Sequence, residues 1–353
     1  LAGEALEHEV SLRGSSNRFS LFAADTIKLS DQTRLDISAR WNRSRVRNDL
    51  GHPDDYERES FSYSKLNPAI GITHAFGKSL IGFANWSQGT RMPSALELGC
   101  ADPANPCTLP VGLQADPYLK QVVTRTLEIG ARARPMEGVE ISGAFFRSVN
   151  NDDIAFMRAG ISQAGFFDNI GKTRRQGFEL SARVRRGDWD WRASYGYLDA
   201  TYQSSGVLFG PLSTAKNPNA FHPGTRMAAL PRHVFKLSAD WRAAPRVVIG
   251  GDWLMVGSSV AAGNESGTRP KLGNVAGFSL FNARASWQFN ERWKAYVRVN
   301  NLLDKRYATY VVGSEDAFPG GVIVSPGDDM SSARFLAPGA GRSIVVGLRY
   351  EWK

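Results

Sequence analysis

The sequence contains no long hydrophobic run. No window of about 18 residues is uniformly apolar, so the 353 residues encode no transmembrane helix. Residues 1–10 lack the basic start and the apolar core of a secretory signal peptide, and the first residue is Leu1 and not Met. We expect either a mature protein or a fragment. A membrane β-barrel is still allowed, because its strands need apolar residues only at every second position.

Signals for catalysis and for nucleic-acid binding are also lacking. The five histidines are scattered without a His-Glu-x-x-His motif, and there is no Gly-x-Ser-x-Gly elbow. Residues 165–173 end like a phosphate-binding loop, but they hold one residue too many between the glycines. The net charge of +9 arises from Lys and Arg that are spread along the chain and form no patch. We therefore expect no enzyme, no cofactor, no metal site and no nucleic-acid partner.

The chain has few cysteines. Its two, Cys100 and Cys107, lie in one proline-rich segment. A close pair in a polar loop is typical of a local disulfide in an oxidising compartment such as the periplasm or the cell surface. The alternatives are two unpaired thiols or half of a metal site, and no His or Cys stands at zinc-like spacing from the pair. We expect a disulfide.

What the sequence does have is alternation of apolar and polar residues, sustained over segments of about ten residues. In residues 34–41, the residues Leu35, Ile37, Ala39 and Trp41 alternate with polar side chains. The pattern returns in residues 178–185, 189–197, 232–242, 281–289 and 292–300. These segments are longer than the usual strand of a soluble sandwich, and aromatic residues lie near their ends, as in the girdles of membrane barrels. A soluble all-β binding or hydrolytic domain is the alternative of another class.

Short turns and long loops alternate between these segments. The short turns lie near residues 30–32, 76–78, 135–138, 186–188, 243–245 and 289–291. The long loops span roughly residues 47–60, 88–119, 150–172, 203–230, 258–274 and 303–340. Tight periplasmic turns and long extracellular loops are typical of outer-membrane barrels, whereas Greek-key sandwiches lack this rhythm. The sequence therefore predicts an all-β fold, a transmembrane antiparallel up-and-down β-barrel sheet with an even count of about 14 strands.

The chain ends in an amphipathic strand. Residues 341–352 carry Leu348, Tyr350 and Trp352 on their apolar face, and Lys353 follows. A final strand that ends in an aromatic residue resembles the assembly signal of outer-membrane proteins. We expect these three side chains to act as that signal.

Several motifs, taken in order along the chain, resemble those of TonB-dependent receptors. Residues 300–310 (NNLLDKRYATY) are similar to the Asn-Leu-Phe-Asp-Lys/Arg-x-Tyr signature of that family. Residues 85–98 (NWSQGTRMPSALEL) resemble a strand end that carries Gly-Phe-Arg-x-Pro. Residues 168–180 (DNIGKTRRQGFEL) are similar to the Asn-x-Gly-x-x-Arg-x-x-Gly-x-Glu block. Residues 100–132 resemble the disulfide-bearing loop and following strand of one proteobacterial subgroup.

The resemblance implies a barrel of about 22 strands whose lumen is filled by a separate N-terminal plug. Residues 1–353 are then the C-terminal portion of that barrel, without the plug, the TonB box and the first strands. The implied function is energy-coupled uptake of a scarce nutrient across the bacterial outer membrane, most often of a ferric siderophore, with iron only as cargo. The implied partners are outer-membrane lipid and lipopolysaccharide, TonB through the missing N-terminal region, the barrel-assembly machinery and an extracellular small molecule. A passive porin-like or structural barrel is the alternative.

Polar strand faces and loop tips supply the candidate site residues. If the apolar faces meet lipid, the opposite face lines the lumen or contacts the plug, and it carries Glu128, Glu179, Arg183, Arg185, Arg298 and Arg349. We expect ligand contacts at the top of one strand and in one loop, at Asn85, Gln88, Arg91, Glu97, Phe166 and Phe167. The alternatives are that the lining is polar only because the lumen holds water, and that the loop aromatics order their own loop.

Overall fold

The structure, a computed structural model, describes residues 11–52, 55–99, 101, 119–158, 165–208, 212–213, 216–316 and 331–352. Its strands are, in chain order, β1 (Ser11–Lys28), β2 (Thr33–His52), β3 (Asp55–Ala75), β4 (Leu80–Arg91), β5 (Val122–Met136), β6 (Val139–Asn151), β7 (Ile154–Arg158), β8 (Gly165–Asn169), β9 (Lys172–Arg186), β10 (Trp189–Tyr202), β11 (Gly206–Val207), β12 (Ala220–Phe221), β13 (His233–Ala244), β14 (Val247–Val256), β15 (Ser259–Val260), β16 (Asn274–Val275), β17 (Phe278–Gln288), β18 (Trp293–Asn300), β19 (Ala308–Asp316), β20 (Ser331–Pro338) and β21 (Ser343–Tyr350). The helix α1 (Ala95–Leu98) follows β4. Within the described ranges, no helix is long and apolar enough to cross a membrane.

Thirteen strands form one antiparallel sheet in the order β1-β2-β3-β4-β5-β6-β9-β10-β13-β14-β17-β18-β21. The predicted all-β, up-and-down architecture is confirmed, with thirteen strands in the sheet where the sequence suggested about 14. The number is odd because β1 already runs toward the edge of the short turns, where Ser30 donates a backbone hydrogen bond to Thr33 at 3.1 Å. The last strand, β21, runs toward the same edge. Over the described residues β1 and β21 do not pair with each other, so the sheet is not closed.

The prediction of a long loop at residues 47–60 is wrong. The strands β2 and β3 continue through this segment and stay paired until His52 lies opposite Asp55. Most side chains here are polar on both faces, so the alternation that identifies a strand fades while the backbone hydrogen bonds continue. The other five long connections leave the sheet, and each holds α1 or one of the hairpins β7–β8, β11–β12, β15–β16 and β19–β20.

The apolar side chains of the sheet are exposed on one side of it. Leu180, Ile129 and Trp191 expose 50, 52 and 40% of their surface. The register places them in lateral rows, with Trp191 opposite Val184 on one neighbouring strand and Ala239 on the other. An apolar band of this extent is stable against lipid, not against water. We call this side the outer face and the opposite side the polar wall.

Buried apolar side chains lie at the end of the sheet where the long connections are. The first cluster joins the ends of β2 and β3 to α1 and consists of Val46, Phe61, Tyr63, Leu98, Ala101 and Leu119. The second holds Ile170, Tyr202, Leu208 and Phe221, and the third holds Ala261, Leu272, Val275 and Val311. These clusters give the long connections a packed core of their own. We call this end of the sheet, with its long connections, the rim.

Candidate functional site

The polar wall carries three cavities. The first, of about 720 Å³, is lined by charged residues that include Arg132, Arg183, Lys236, Asp252 and Arg298. The second, of about 830 Å³, is lined by Arg185, Asp240, Arg242, Arg284, Arg298 and Arg349 among others. The third, of about 460 Å³, includes Glu128 and Glu179 in its lining. Every residue that the sequence assigned to the lumen therefore lines one of these cavities, while its contact with a plug or ligand stays a prediction.

Arg183 belongs to an ion-pair cluster at the short-turn end of the wall. Its Nε and Nη2 donate to the two carboxylate oxygens of Asp190 at 3.1 and 2.7 Å. The same carboxylate accepts a hydrogen bond from Arg192 Nη2 at 2.6 Å. Two guanidinium groups thus share one carboxylate, and the cluster keeps a net positive charge.

A second cluster crosses three strands. Arg284 donates to Asp240 Oδ1 from Nε at 3.0 Å and from Nη2 at 2.7 Å, and it also bonds Asp252. Gly250 lies between Arg284 and Asp240 in the register, so no side chain stands between them. A Cβ at Gly250 would collide with the Asp240 carboxylate and would lie 2.9 Å from Arg284 Nε. The absence of a side chain at this position is what lets the ion pair form across the intervening strand.

The remaining predicted lumen arginines are less engaged. Arg185 Nη2 lies 3.8 Å from Glu140 Oε1, and Arg349 Nη2 lies 3.1 Å from Glu351 Oε1. The side chains of both pairs are about half exposed. Arg298 lies opposite Arg284 in the register and is exposed. These groups leave positive charge on the wall that is open to an anionic partner.

The strand end that was predicted to contact ligand places its residues on different sides of the sheet. Asn85 lies on the polar wall opposite Gly71, and its side-chain oxygen occupies the space that a Cβ at Gly71 would need. Gln88 shares the outer-face alternation of Trp86, and its Oε1 accepts a hydrogen bond from Arg125 Nε at 3.1 Å. Asn85 is therefore exposed on the polar wall and Gln88 is not.

Arg91 and Glu97 hold the start of α1. Glu97 Oε2 accepts hydrogen bonds from Arg91 Nη1 at 2.8 Å and from the Ser94 amide at 2.7 Å, and Ser94 Oγ accepts one from the Glu97 amide at 3.1 Å. This is a capping box. Burial raises the pKa of Glu97, but the hydrogen bonds from Arg91 and Ser94 outweigh it, so the pKa lies below its usual value. Both side chains are already engaged within the protein.

The predicted loop aromatics pack into the rim. The Phe167 ring lies 5.0 Å from the Phe156 ring, and Phe167 also packs against the first buried cluster. Phe166 lies opposite Met157 in the β7–β8 hairpin. Both are half-buried, so each orders its loop and keeps part of its ring exposed.

Two predictions concern the loop cysteines and the chain end. Cys100 and Cys107 lie outside the described residues, so their pairing stays a prediction. Leu348 and Trp352 expose 59 and 88% of their surface on the outer face. The Tyr350 ring lies 4.8 Å from the Trp293 ring and 4.8 Å from the Trp352 ring. The predicted assembly signal is thus a row of apolar side chains that is open on the outer side.

Sequence reasoning did not single out the acids Asp190, Asp240 and Asp252 or their partner Arg284. All four share the alternation of the predicted lumen residues, so the same face rule signals them. The pattern does not give the register that brings them within hydrogen-bond distance. In the parts of the chain that the structure describes, no group of three or more His, Cys, Asp or Glu side chains is arranged to hold a metal ion.

Comparison with known proteins agrees with this architecture. The family model described as "TonB dependent receptor-like, beta-barrel" matches residues 9–302. "Probable TonB-dependent receptor BfrD" of Bordetella pertussis is 24% identical over 305 residues, which cover 82% of this chain and 37% of that protein. "Probable TonB-dependent siderophore receptor PiuA" of Acinetobacter baumannii is 24% identical over 306 residues, covering 84% and 38%. The chain therefore spans less than two fifths of the length of these relatives.

Solved structures show the same fold. The siderophore receptor PiuA from Acinetobacter baumannii superimposes with a TM-score of 0.71 at 17% identity, covering 96% of this chain and 44% of that one. The copper transporter OprC superimposes with a TM-score of 0.69 at 17% identity, covering 96% and 48%. With a family model matched over most of its length and an apolar outer face suited to lipid, this chain is a bacterial outer-membrane protein that belongs to the TonB-dependent receptor β-barrel family.

Proposed function

We propose that the full-length protein containing this chain imports a ferric siderophore actively across the outer membrane. Residues 1–353 form the C-terminal portion of its barrel, and the plug, the remaining strands and the TonB-contacting segment belong to the rest of the protein. TonB acts from the periplasmic side and moves the plug within the barrel, which opens a path along the polar wall. The barrel itself carries out no bond chemistry.

The charge of the polar wall carries this proposal. The lining of the first cavity includes six basic residues, Arg132, Arg134, Arg183, Arg192, Lys236 and Arg298, against the two acidic residues Glu140 and Asp252. A wall with excess positive charge attracts an anionic plug surface or an anionic chelate, and it raises the local concentration of such a partner. Asn85 lies exposed on the same wall. We propose that its side chain contacts the incoming solute.

The identity of the cargo draws on the relatives. PiuA is named a siderophore receptor, and a third relative, 22% identical over 312 residues, is named a ferric-pyoverdine receptor. OprC is named a copper transporter and shares the fold to a similar degree. A copper chelate is therefore the second cargo to test. A passive porin-like barrel also has a polar wall, but it needs neither a plug nor TonB.

Uptake in cells tests the proposal. A strain that lacks the gene is complemented with the full-length gene, and uptake of labelled iron is measured with a panel of siderophores, with and without TonB. We expect one or more siderophores to give uptake that disappears without TonB. The double variant R298E/K236E, which reverses two charges of the polar wall, is expected to lower uptake, whereas R298K/K236R is expected to keep it.

The outcomes separate the alternatives. Uptake that persists without TonB contradicts active transport and supports the porin-like barrel. Uptake of copper but not iron, or no response to any siderophore, contradicts the iron assignment and leaves the receptor fold in place. Equal uptake by the charge-reversed and charge-conserving variants contradicts the role of the polar wall.

Assembly is a separate part of the proposal. The open apolar row of Leu348, Tyr350 and Trp352 is proposed to engage the barrel-assembly machinery as the chain folds into the membrane. Replacing Tyr350 and Trp352 by serine is expected to reduce the amount of folded receptor in outer-membrane fractions. A normal amount would contradict this role.

A further inference from the structure

Arg269, in the connection between β14 and β17, is a buried charged side chain that links two long connections of the rim. It exposes 7% of its surface. Its Nη2 donates to the carbonyl oxygens of Leu212 at 3.2 Å and Asn217 at 2.6 Å, which both belong to the connection between β10 and β13. Its Nη1 donates to the Gly263 carbonyl oxygen at 3.1 Å and to Ser266 Oγ at 3.3 Å, within its own connection. One guanidinium group therefore joins the two segments.

Polar side chains next to Arg269 join the same two connections. Asn219 is fully buried, its Nδ2 donates to Glu265 Oε2 at 2.5 Å, and its Oδ1 accepts a hydrogen bond from the Ser266 amide at 3.2 Å. Thr268 Oγ1 donates to Asn217 Oδ1 at 2.7 Å. Buried polar groups are costly to separate from their partners, so this network favours one relative position of the two connections.

The connection between β18 and β21 packs against the other two. The Ala262 amide donates to the Val311 carbonyl oxygen at 2.9 Å, and the third buried cluster contains residues of both connections. A Cβ at Gly313 would lie 2.6 Å from Leu212 Cδ1, so the third connection also meets the first. We call the described parts of these three connections the rim block, which consists of residues 203–208, 212–213, 216–232, 257–277, 301–316 and 331–342.

The rim block lies at the end of the strands that form the first cavity of the polar wall. The strands β13, β14 and β17 lead into the block, and they contribute Lys236, Leu254 and Asn282 to the lining of that cavity. A solute that enters from the side of the long connections passes the block before it reaches these residues. Because Arg269 is buried, it affects such a solute only through the positions of the exposed residues around it.

We propose that Arg269 is a positioning residue for cargo binding, because it holds the rim block in the one arrangement that binds the cargo. This inference rests on the uptake function proposed above. Ordering a long connection costs conformational entropy, and affinity falls when that cost arises at the moment of binding. The planar guanidinium fork reaches carbonyl oxygens of two connections at once, whereas a lysine ammonium is a single point charge without that fork.

Concentration-dependent uptake by cells that express the full-length receptor tests the proposal. The probe is labelled iron bound to a siderophore that the unmodified receptor takes up. For R269Q we expect the half-saturating concentration to rise about tenfold, as it does when the binding-competent arrangement falls to about a tenth of the population. The maximal rate is expected to stay within about twofold, because the polar wall and the contact with TonB are unchanged. R269K is expected to behave like R269Q, since it keeps the charge and loses the fork.

Arg334 offers a matched control in the same block. It is exposed and donates to the Asn274 carbonyl oxygen at 3.0 Å. R334Q removes the same charge and is expected to leave both uptake values unchanged. Hydrogen exchange of the receptor without cargo gives a second measurement. The Ser266 and Ala262 amides are expected to exchange faster in R269Q than in the unmodified receptor, and to be unchanged in R334Q.

The outcomes are distinct. Heat-dependent migration in gels verifies that each variant is folded, and blotting gives its amount. An unchanged half-saturating concentration in R269Q overturns the proposal, and so does a fall in the maximal rate alone. Unchanged exchange in R269Q shows that Arg269 does not hold the block, and normal uptake by R269K overturns the role of the fork. If the unmodified receptor takes up no siderophore, the proposed function fails before any variant is compared, and this inference fails with it.

Discussion

Replacing Gly250 by alanine is expected to destabilise the barrel through the polar wall. The added Cβ would collide with the Asp240 carboxylate and would lie 2.9 Å from both the Ala239 carbonyl oxygen and Arg284 Nε. Because the Ala239 carbonyl belongs to the backbone, it has little freedom to move aside. The Asp240 side chain then moves instead, and its two hydrogen bonds from Arg284 are lost.

The size of the effect follows from the exposure of the pair. The Arg284 and Asp240 side chains are 28 and 23% exposed, so their interaction is worth more than that of a surface ion pair and less than that of a buried one. We take about 1.5 kcal/mol, the low end for hydrogen bonds to charged groups. Alanine in place of glycine returns about 0.5 kcal/mol by restricting the unfolded chain. Gly250→Ala is therefore expected to lower the free energy of unfolding by about 1 kcal/mol.

The neighbouring glycine is a matched control. Gly251 lies on the same strand and points to the outer face, where a Cβ would meet only the Asn282 carbonyl oxygen at an ordinary 3.4 Å. Gly251→Ala is expected to leave the receptor about 0.5 kcal/mol more stable. Urea unfolding of the full-length receptor in lipid vesicles, followed by tryptophan fluorescence, measures both. If Gly250→Ala is as stable as Gly251→Ala, the ion pair does not contribute to stability and the reasoning fails.

Three further predictions concern the rim. Burial raises the pKa of Glu97, and its hydrogen bonds lower that pKa by more, so the carboxylate is charged and the cap of α1 is fully formed at neutral pH. The stabilisation by the cap begins to fall when the pH drops below the usual glutamate pKa of about 4.3. It is lost as the pH falls through the lowered pKa of the folded protein. Hydrogen exchange of the Ser94 amide, corrected for its intrinsic rate, is expected to accelerate over that range, and Glu97→Gln is expected to abolish this pH dependence. Tyr63→Phe removes a buried hydrogen bond of 3.0 Å to the Leu119 carbonyl and is expected to cost about 1 kcal/mol in urea unfolding. Neither loop cysteine is expected to react with a thiol label on intact, unreduced cells; labelling of either one would contradict the disulfide.

Much of the fold follows from the period-two pattern. Segments such as residues 178–185 and 189–197 assign each residue to one of two faces, and the structure keeps those faces. The short-long rhythm of the connections then gives an up-and-down order without any long-range information. The long loop at residues 47–60 is where this reasoning fails. Outside the membrane neither face needs to be apolar, so a strand continues there without alternation.

The candidate site depends on register, which the pattern does not contain. Arg284 reaches Asp240 only because Gly250 is the residue that lies between them, and a shift of the strands by one residue would move these side chains to opposite faces. The Arg91–Glu97 pair is similar, since the capping box is visible in the sequence Ser94–Glu97 while the arginine partner comes from a strand end. The sequence therefore assigned Arg91 and Glu97 to the candidate site without showing what they contact, and it did not single out Arg284 or Asp240.

Gln88 and three arginines on the outer face show that face assignment holds beyond the hydrophobic band. The three are Arg125, Arg147 and Arg174. The sequence suggested that polar residues at the top of a strand point toward an incoming ligand. Asn85 does lie on the polar wall. Gln88, three residues later on the same strand, points to the opposite side of the sheet and accepts a hydrogen bond from Arg125 on the outer face. The outward positions of β5, β6 and β9 change from apolar or aromatic residues to arginine within one or two steps of the alternation. Since the strands continue past the hydrocarbon, that change marks the height at which the surrounding lipid changes from acyl chain to charged headgroup, and it distinguishes residues that meet lipid from residues that meet the cargo.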